Sequence, residues 1–400
     1  MPQLATKAAC TGCSACASVC NHNAIQMKED EEGFLQPIIN NSKCIECHLC
    51  EKVCPDLSPV KFGKDKPSSF AMWSLLDRNV SSSGGAFSAF ARDILSQDGI
   101  VFGAIMDWGD IKLRHTFTDN IEGLAPMRGS KYIQSEIGDS FIKVKNSLTA
   151  GRKVLFVGTP CQVAGLKSYL KKDYGNLLTL DLVCHGVPSG EIFTSYLNKL
   201  AKKLGNNKRI NKYEFRKTNG WGFAPSVCFA EKSQQLYGVN ALYMEAFNAG
   251  AIFRESCYKC KYAKIPRVGD CTIADFWGIG RYGTPFNHGT KQGVSLVLTN
   301  TEKGLTALKN LKESFIEERQ LEEALIENHN LKNVSKQHNR RDEIVAAFLN
   351  QDMSLDDINK KYNLCDRSIK AVAKNLASRM GLFDLAKSVY DFYKIHQHNS

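Results

Sequence analysis

Two runs near the start of the chain share one spacing: Cys10-Thr-Gly-Cys13-Ser-Ala-Cys16-Ala-Ser-Val-Cys20 and Cys44-Ile-Glu-Cys47-His-Leu-Cys50-Glu-Lys-Val-Cys54-Pro55. Each reads C-x2-C-x2-C-x3-C, with three cysteines inside seven residues. Zinc sites usually pair two C-x2-C units across a longer loop, so the denser spacing argues against zinc. The doubled run instead indicates two cubane iron–sulfur clusters.

This spacing is that of bacterial ferredoxins, in which the fourth cysteine of each run binds the other cluster. We therefore predict one [4Fe–4S] cluster held by Cys10, Cys13, Cys16 and Cys54. The second cluster is then held by Cys44, Cys47, Cys50 and Cys20. Asn21 stands where a proline would follow the fourth cysteine of the first run, which alters a turn and removes no ligand.

Composition sets the broad class of the protein. Four hundred residues can hold two or three domains, and a hydrophobic content of 43% is ordinary for a globular chain. The sequence has no run of about 18 apolar residues and no apolar signal core at its N-terminus, so neither a membrane span nor secretion is expected. A cytoplasmic location would keep the 15 cysteines reduced and free to bind metal. The net charge is +11, but without a nucleic-acid motif we expect no nucleic-acid partner.

The hydrophobic pattern divides the chain into three parts. Residues 1–60 form a small ferredoxin-like module, with short strands in the stretches Ala24–Met27 and Phe34–Ile39. Residues 61–328 begin with a polar linker and then alternate apolar strands with helices. Residues 329–400 are helical by pattern, and their last helix, from Ile369 to Tyr393, is expected to pack on protein rather than on a membrane surface. The predicted fold class is α+β or mixed α/β.

Two further cysteines follow predicted strands. Val154–Val157 stops at a turn that holds Cys161, with a helix predicted from Gln162, and Leu177–Val183 stops at a turn that holds Cys184. Such neighbouring units place both cysteines at one edge of a sheet, where α/β proteins bind ligands.

The pair Cys257-Tyr-Lys-Cys260, together with Cys161 and Cys184, could complete a four-thiolate site. Cys271 competes for the fourth position, because it follows in the same region. The alternative is that Cys161 and Cys184 are small buried hydrophobic residues, as free cysteine often is.

Several motifs occur together in this sequence. They are Ser83-Gly84-Gly85, Gly158-Thr-Pro-Cys161-Gln162-Val-Ala-Gly-Leu166, Asp181-Leu-Val-Cys184-His185-Gly186-Val-Pro-Ser and Arg254-Glu-Ser-Cys257-Tyr-Lys-Cys260, followed by Arg267-Val-Gly-Asp270 and Ala274-Asp275-Phe-Trp277-Gly278. Together they resemble the β-subunit family of coenzyme F-420 (deazaflavin) hydrogenases and dehydrogenases, over the stretch from about Phe70 to Leu325. An N-terminal two-cluster ferredoxin fused to this domain is known within the family.

The resemblance implies an FAD-binding iron–sulfur reductase domain, with one [4Fe–4S] cluster beside the flavin. The implied cluster ligands are Cys161, Cys184, Cys257 and Cys260, since members usually have an aliphatic residue at the place of Cys271. The implied FAD contacts are Ser83, Gly84 and Gly85 in one loop and Lys131, Tyr132, Gln134 and Ser135 in another. A serine- and glycine-rich loop that opens a helix suits a pyrophosphate, because helix N-terminal N–H groups bind anions. His185 is a candidate for proton transfer near the flavin.

The predicted function is that of an iron–sulfur flavoprotein oxidoreductase with three [4Fe–4S] clusters and one FAD. Ferredoxin or another one-electron donor would exchange electrons with the clusters, and hydride would pass to or from an organic acceptor such as a deazaflavin or another metabolite. The alternative is an electron-transfer subunit of a larger redox complex, with a partner subunit and no small-molecule substrate of its own. A third possibility is a scaffold whose domain has lost its flavin.

Overall fold

The computed structural model describes residues 1–205, 210–217, 221–223, 225–229, 232–281 and 284–365. The helix predicted from Ile369 to Tyr393 lies outside the described residues. Within them, the structure is a mixed α/β fold with a large mixed sheet, as the sequence predicts.

The N-terminal module consists of two short helices and one hairpin. Helix α1 (Ala15–Val19) carries Cys16, and helix α2 (Leu49–Lys52) carries Cys50. Strands β1 (Ile25–Glu29) and β2 (Leu35–Ile39) pair antiparallel, with Ile25 opposite Ile39. The two strands lie where the sequence predicts them, between the two cysteine runs.

A large sheet organises the rest of the described chain. Its strands are β3 (Ser68–Ser74), β4 (Ile100–Asp107), β5 (Lys112–Thr118), β6 (Val154–Gly158), β7 (Leu177–Leu182), β11 (Cys271–Asp275), β12 (Ser295–Thr299) and β13 (Ser314–Arg319). They lie in the order β13-β3-β12-β11-β7-β6-β4-β5. Strands β4, β6, β7 and β11 run parallel, and the remaining neighbours pair antiparallel. A second, antiparallel sheet contains β8 (Lys212–Glu214), β9 (Ser226–Phe229) and β10 (Lys232–Gln235).

Helices cover both faces of the large sheet: α3 (Ala86–Leu95), α4 (Ser140–Thr149), α5 (Pro160–Leu170), α8 (Glu302–Lys309) and α9 (Leu321–Glu327). Other helices pack with the second sheet in one hydrophobic core: α6 (Gly190–Lys203), α7 (Leu242–Asn248), α10 (Arg341–Leu349) and α11 (Leu355–Tyr362). Successive residues of a strand point to opposite faces. In β6, Val154 and Phe156 therefore pack in the core under α4 and α5, while Leu155 and Val157 pack in the core under α3.

The parallel strands deliver their following loops to one edge of the sheet. Cys161 follows β6 and Cys184 follows the parallel neighbour β7, so the predicted placement of both at one edge is confirmed. One detail was wrong: α5 begins at Pro160 rather than at Gln162, which puts Cys161 in its first turn. Proline suits this position because the first N–H groups of a helix have no partner within it. The Thr159 N–H, just before the helix, donates to Gln162 Oε1 at 3.0 Å.

The N-terminal module is docked closely on this domain. A Cβ built on Gly165 of α5 would lie 2.9 Å from Cys13 Cβ, so the module approaches the helix as closely as a glycine allows. The linker follows the surface of the domain, with the Gly63 N–H donating to Arg267 O at 2.8 Å. At the other end of the described chain, α10 and α11 share one hydrophobic core with α6.

Candidate redox site

The first set of four cysteines lines one cavity. Cys10, Cys13, Cys16 and Cys54 face a cavity of about 430 Å³, although Cys54 is separated from the others by more than thirty residues of chain. Burial raises the pKa of the Cys13 thiol to about 12 and that of Cys16 well above its usual value. These thiols would therefore stay protonated unless a positive centre such as iron stabilised their thiolates.

The second set lines a separate, smaller pocket. Cys20, Cys44, Cys47 and Cys50 line a common pocket together with Ile45, which is 62% exposed, and Cys47 itself is exposed. The two pockets group the cysteines crosswise, as the ferredoxin spacing predicts. Occupation of both sets by iron stays a prediction.

A third set gathers at the carboxyl edge of the large sheet. Cys161 and Cys184 are joined there by Cys257, in a 3₁₀ turn (Glu255–Lys259), and by Cys260 directly after it. Burial raises the pKa of Cys161 to about 11 and that of Cys257 to about 12, and the neighbouring thiols add to both shifts. The pKa of Cys184 is raised for the same reasons, burial first and then Cys257, Cys161 and Cys260. The four thiols that the family resemblance implies are thus near neighbours.

Cys271 lies away from this set. It begins β11, is fully buried in the core under α3, and its thiol donates to Gly304 O at 3.4 Å. In the described part of the chain, no three His, Cys, Asp or Glu side chains are close enough to hold a single metal ion. The iron and sulfide of a cubane separate its cysteines more widely than one ion does, so cubane ligands need not form such a group.

The first and third sets adjoin one another. Cys260 and Tyr262 line the same cavity as the four cysteines of the first set. The Tyr262 ring is buried, and its pKa is raised by burial and then by thiols of both sets, Cys161 and Cys260 from the third and Cys13 and Cys54 from the first. A short path therefore leads from one set to the other through Tyr262.

The loop that contains Ser83, Gly84 and Gly85 leaves the same edge of the sheet. A Cβ on Gly84 would lie 2.3 Å from Met72 O, so the strand contact itself requires glycine there. Ser83 Oγ donates to Val294 O at 3.2 Å. Gly85, with φ of +86°, is the N-cap of α3, so the loop presents the start of a ten-residue helix at this edge.

The second predicted segment divides into two pairs. Lys131 donates to backbone carbonyls of its own loop, and Tyr132 packs against Phe247 with ring centroids 4.7 Å apart. Gln134 and Ser135 are engaged inside the protein. Gln134 Nε2 donates to Thr11 O of the N-terminal module at 3.1 Å, and Ser135 Oγ is a hydrogen-bond partner of His115 Nδ1 at 2.9 Å.

His185 lies between the third set and Tyr132. Its side chain is exposed, and its ring centroid is 6.4 Å from that of Phe247, which also contacts Tyr132. Surrounding protein nevertheless lowers its pKa, while Asp275 opposes the shift. An exposed ring with a lowered pKa is typical of a group in a cleft.

Comparison with known proteins identifies both parts. A family model for coenzyme F420 hydrogenase/dehydrogenase, described as the C-terminal part of the beta subunit, matches residues 151–324, and a 4Fe-4S dicluster domain model matches residues 9–56. Residues 151–324 belong to the F420 hydrogenase/dehydrogenase β-subunit family. The protein is therefore an iron–sulfur electron-transfer protein related to an oxidoreductase family, as the resemblance implies.

The chain is also similar to a solved structure with a related description. It is a chain of the F420-reducing [NiFe] hydrogenase complex from Methanosarcina barkeri, studied by xenon derivatization. The identity is 15%, the match covers 76% of this chain and 92% of that one, and the TM-score is 0.42. No curated protein matches the chain. Among the described residues, no helix combines the length and apolar character needed to cross a bilayer.

The segment before the matched residues 151–324 offers groups that fit FAD. The half-buried Lys131 ammonium donates to Met127 O and Arg128 O, each at 3.0 Å, and to Gly129 O at 3.2 Å, and has no carboxylate partner among the described residues. Burial lowers its pKa to about 8. A Cβ on the adjoining Gly129 would meet nothing within 4 Å, so the space beside Lys131 is open. An unpaired cation beside open space suits a phosphate group.

Arg216 and Asp275 form an ion pair in this cleft, close to Tyr132, that the sequence does not predict. Arg216 Nη1 donates to Asp275 Oδ2 at 2.5 Å, and its Nη2 donates to Ser82 O at 3.1 Å. The ion pair therefore ties the Ser-Gly-Gly loop to the end of β11. Trp221 and Trp277 stack beside it, with ring centroids 5.0 Å apart and planes 11° apart. Asp275 and Trp277 belong to the motif Ala274-Asp275-Phe-Trp277-Gly278. Arg216 is distant from it in sequence, and no local pattern indicates that Arg216 contributes to the cleft.

Proposed function

We propose that this protein is an iron–sulfur flavoprotein oxidoreductase with three [4Fe–4S] clusters and one FAD. The observation that carries the proposal is the position of the third cysteine set. On one side it adjoins the first set through Cys260 and Tyr262, and on the other it continues from Cys184 into the cleft of His185 and Tyr132.

The cysteines would hold three clusters in sequence, which we call outer, inner and flavin-side. The outer set is Cys20, Cys44, Cys47 and Cys50. The outer set contains the exposed Cys47, so it is the natural place for ferredoxin or another one-electron donor to exchange electrons. The inner set is Cys10, Cys13, Cys16 and Cys54, and the flavin-side set is Cys161, Cys184, Cys257 and Cys260. These two sets are less exposed than the outer one, whose Cys47 is exposed.

The cleft residues would bind FAD at the end of this path. Lys131 and the N-terminus of α3 behind Gly85 supply positive electrostatic potential for the pyrophosphate. Arg216 and Asp275 hold the Ser-Gly-Gly loop in place. The engaged side chains of Gln134 and Ser135 fix the segment that carries Lys131 and Tyr132, and so act by positioning it.

Bound FAD supplies the chemistry that combines two single electrons and a proton into one hydride for an organic acceptor, or the reverse. A deazaflavin is one candidate acceptor, because the family description names coenzyme F420. His185 is the side chain of the cleft suited to hold or release the proton, through its imidazole nitrogens.

A second candidate function is electron transfer within a larger complex, without a separate small-molecule substrate. The family description, which names a β subunit, and the exposed outer set favour it. In that case a partner subunit would take the place of a soluble donor or acceptor.

The test is anaerobic purification with measurement of iron, sulfide and flavin. Three cubanes predict about twelve irons per chain, with one FAD. About eight irons would exclude the third cluster, and loss of FAD under gentle purification would exclude the flavoenzyme. Oxidation of the dithionite-reduced protein by a deazaflavin or another organic acceptor would favour the enzyme, whereas reoxidation only by protein partners would favour the subunit.

A further inference from the structure

Arg254 is buried between the N-terminal module and the domain that contains the large sheet. Its side chain is among the largest fully buried ones of the described chain, at 2% relative exposure. Nε donates to Cys10 O at 2.6 Å, Nη2 to Leu35 O at 3.0 Å, and Nη1 to Gln134 Oε1 at 3.2 Å. All three acceptors are neutral, and two belong to the N-terminal module.

The other buried arginines each have a carboxylate partner. Arg216 pairs with Asp275, Arg267 with Asp181, Arg319 with Glu323 and Arg341 with Glu32. No carboxylate of the described residues forms such a pair with Arg254. A buried cation without a counter-ion is strongly unfavourable, so a negative charge is expected beside it.

The cysteine sets on either side can supply that charge. Arg254 contacts the backbone of Cys10 in the inner set, and the N–H of Cys257 in the flavin-side set donates to Arg254 O at 2.9 Å. Its charge also opposes the rise in pKa of Cys161 and Cys257 that burial causes. Four thiolates around a cubane leave a net negative charge, which increases when the cluster is reduced.

We propose that Arg254 is the shared counter-ion of the inner and flavin-side clusters and makes both easier to reduce than they would be without its charge. This inference rests on the proposed three-cluster function. A fixed positive charge favours the more negative, reduced state of a nearby cluster, and low-dielectric surroundings strengthen the effect. Removal of this charge would therefore make the inner and flavin-side clusters harder to reduce and leave the outer cluster unchanged.

The test is a redox titration of the purified full-length protein, followed by electron paramagnetic resonance. Arg254→Gln removes the charge, whereas Arg254→Lys keeps it and loses the guanidinium fork. At a fixed potential, we expect Arg254→Gln to lower the reduced-to-oxidised ratio of two clusters by about tenfold or more, where tenfold equals 59 mV for a one-electron couple. The third cluster should be unchanged, and Arg254→Lys should remain within about threefold of the wild type for all clusters. Cys47→Ser identifies the signal of the outer cluster.

Arg341→Gln is the matched control. Arg341 is also a buried arginine that binds the N-terminal module, but it is already paired with Glu32. Arg341→Gln should disturb docking without a selective shift of the inner and flavin-side clusters.

Three results would overturn the inference: unchanged ratios in Arg254→Gln, an equal shift of all three clusters in that variant, or an equal shift in Arg254→Lys. If Arg254→Gln does not retain its clusters, Arg254→Lys is the deciding variant. Native reduced-to-oxidised ratios in it would support the inference, and a tenfold shift would contradict it. A wild-type protein with fewer than three clusters would instead contradict the proposed function.

Discussion

At the scale of single residues, two cysteines close in sequence have different surroundings. Cys257 is one of four neighbouring thiols at the edge of the sheet, whereas Cys271 is enclosed by the apolar core under α3. We expect Cys257→Ala to lower the iron content from about twelve to about eight per chain, because a cubane rarely survives loss of a thiolate ligand.

Cys271→Ala is the matched control, since it removes a thiol of the same size that contacts only the core. It should keep about twelve irons and at most lose some stability. Iron and sulfide assays on anaerobically purified variants distinguish the two. Loss of four irons in Cys271→Ala, with retention in Cys257→Ala, would reverse the assignment.

Lys131 provides a second prediction at this scale, because its ammonium has open space beside it and no carboxylate partner among the described residues. We expect Lys131→Met to weaken FAD binding by about tenfold to a hundredfold, as loss of a hydrogen bond to a charged group costs roughly 1.5–3 kcal/mol. Lys143→Met, which removes an exposed lysine paired with Asp139, should leave binding unchanged. Titration of the flavin-free proteins with FAD measures both.

The same lysine predicts a pH dependence. Its pKa in the flavin-free protein is lowered to about 8, and an anionic ligand binds the protonated form. FAD affinity should therefore be constant below about pH 8 and fall above it, by no more than tenfold per pH unit. The decline should be absent from Lys131→Met. An identical decline in the variant would show that another group titrates.

The candidate site could be predicted from sequence where its chemistry is local. The spacing of Cys10, Cys13 and Cys16 reflects a single loop around a cluster, so the sequence contains the geometry. Choosing between Cys260 and Cys271 requires knowing that Cys271 begins β11, at the end of the strand away from the carboxyl edge, which depends on the strand order and direction. Arg216 and Arg254 act through contacts distant in sequence, and only the folded chain brings those contacts together.

At the scale of elements, strong periodicity was the reliable guide. The sequence predicts a helix after the Ser-Gly-Gly loop, where the structure places α3, and it also predicts the parallel strands β6 and β7. It does not predict the antiparallel strands β3, β12 and β13. Strand β12 is buried on both faces, so it lacks alternation, and its pairing with β3 joins segments more than 200 residues apart.

The turn of the β1–β2 hairpin is an element with a testable role in docking. Gly33, with φ of +78°, lies against α6, where a Cβ would come within 2.6 Å of Glu191 Cβ. Ser189 Oγ donates to the neighbouring Glu32 O at 2.6 Å. We expect Gly33→Ala to destabilise the protein by about 1–3 kcal/mol more than a positive φ alone requires, because the new methyl group overpacks the contact.

Gly138→Ala isolates the cost of the positive φ. Gly138 has φ of +56°, and a Cβ there would meet nothing within 4 Å. Thermal denaturation of the two variants under anaerobic conditions gives the difference. Equal losses of stability would show that the hairpin turn does not press on α6 in solution.

At the scale of the whole molecule, charge is unevenly divided. The first 60 residues contain four lysines and seven aspartates and glutamates, although the chain has a net charge of +11. The excess of positive charge therefore lies outside the module with the exposed outer set. Long-range attraction of an acidic ferredoxin would come from the larger part of the chain rather than from the module itself.

One buried ion pair joins the N-terminal module to the last described helices. Arg341 at the start of α10 donates to both carboxylate oxygens of Glu32, at 2.5 and 2.6 Å, and also to Phe253 O. We expect Arg341→Met to lower the free energy of unfolding by about 3–5 kcal/mol, because it leaves Glu32 without its cation in a largely buried contact. Arg340→Met, which removes the adjacent exposed arginine paired with Glu343, should have little effect.

Anaerobic urea denaturation measures stability, and rapid mixing with dithionite measures flavin reduction. If the module transfers electrons only while docked, Arg341→Met should also slow flavin reduction. Native stability and native rates in this variant would show that the ion pair does not hold the two parts together.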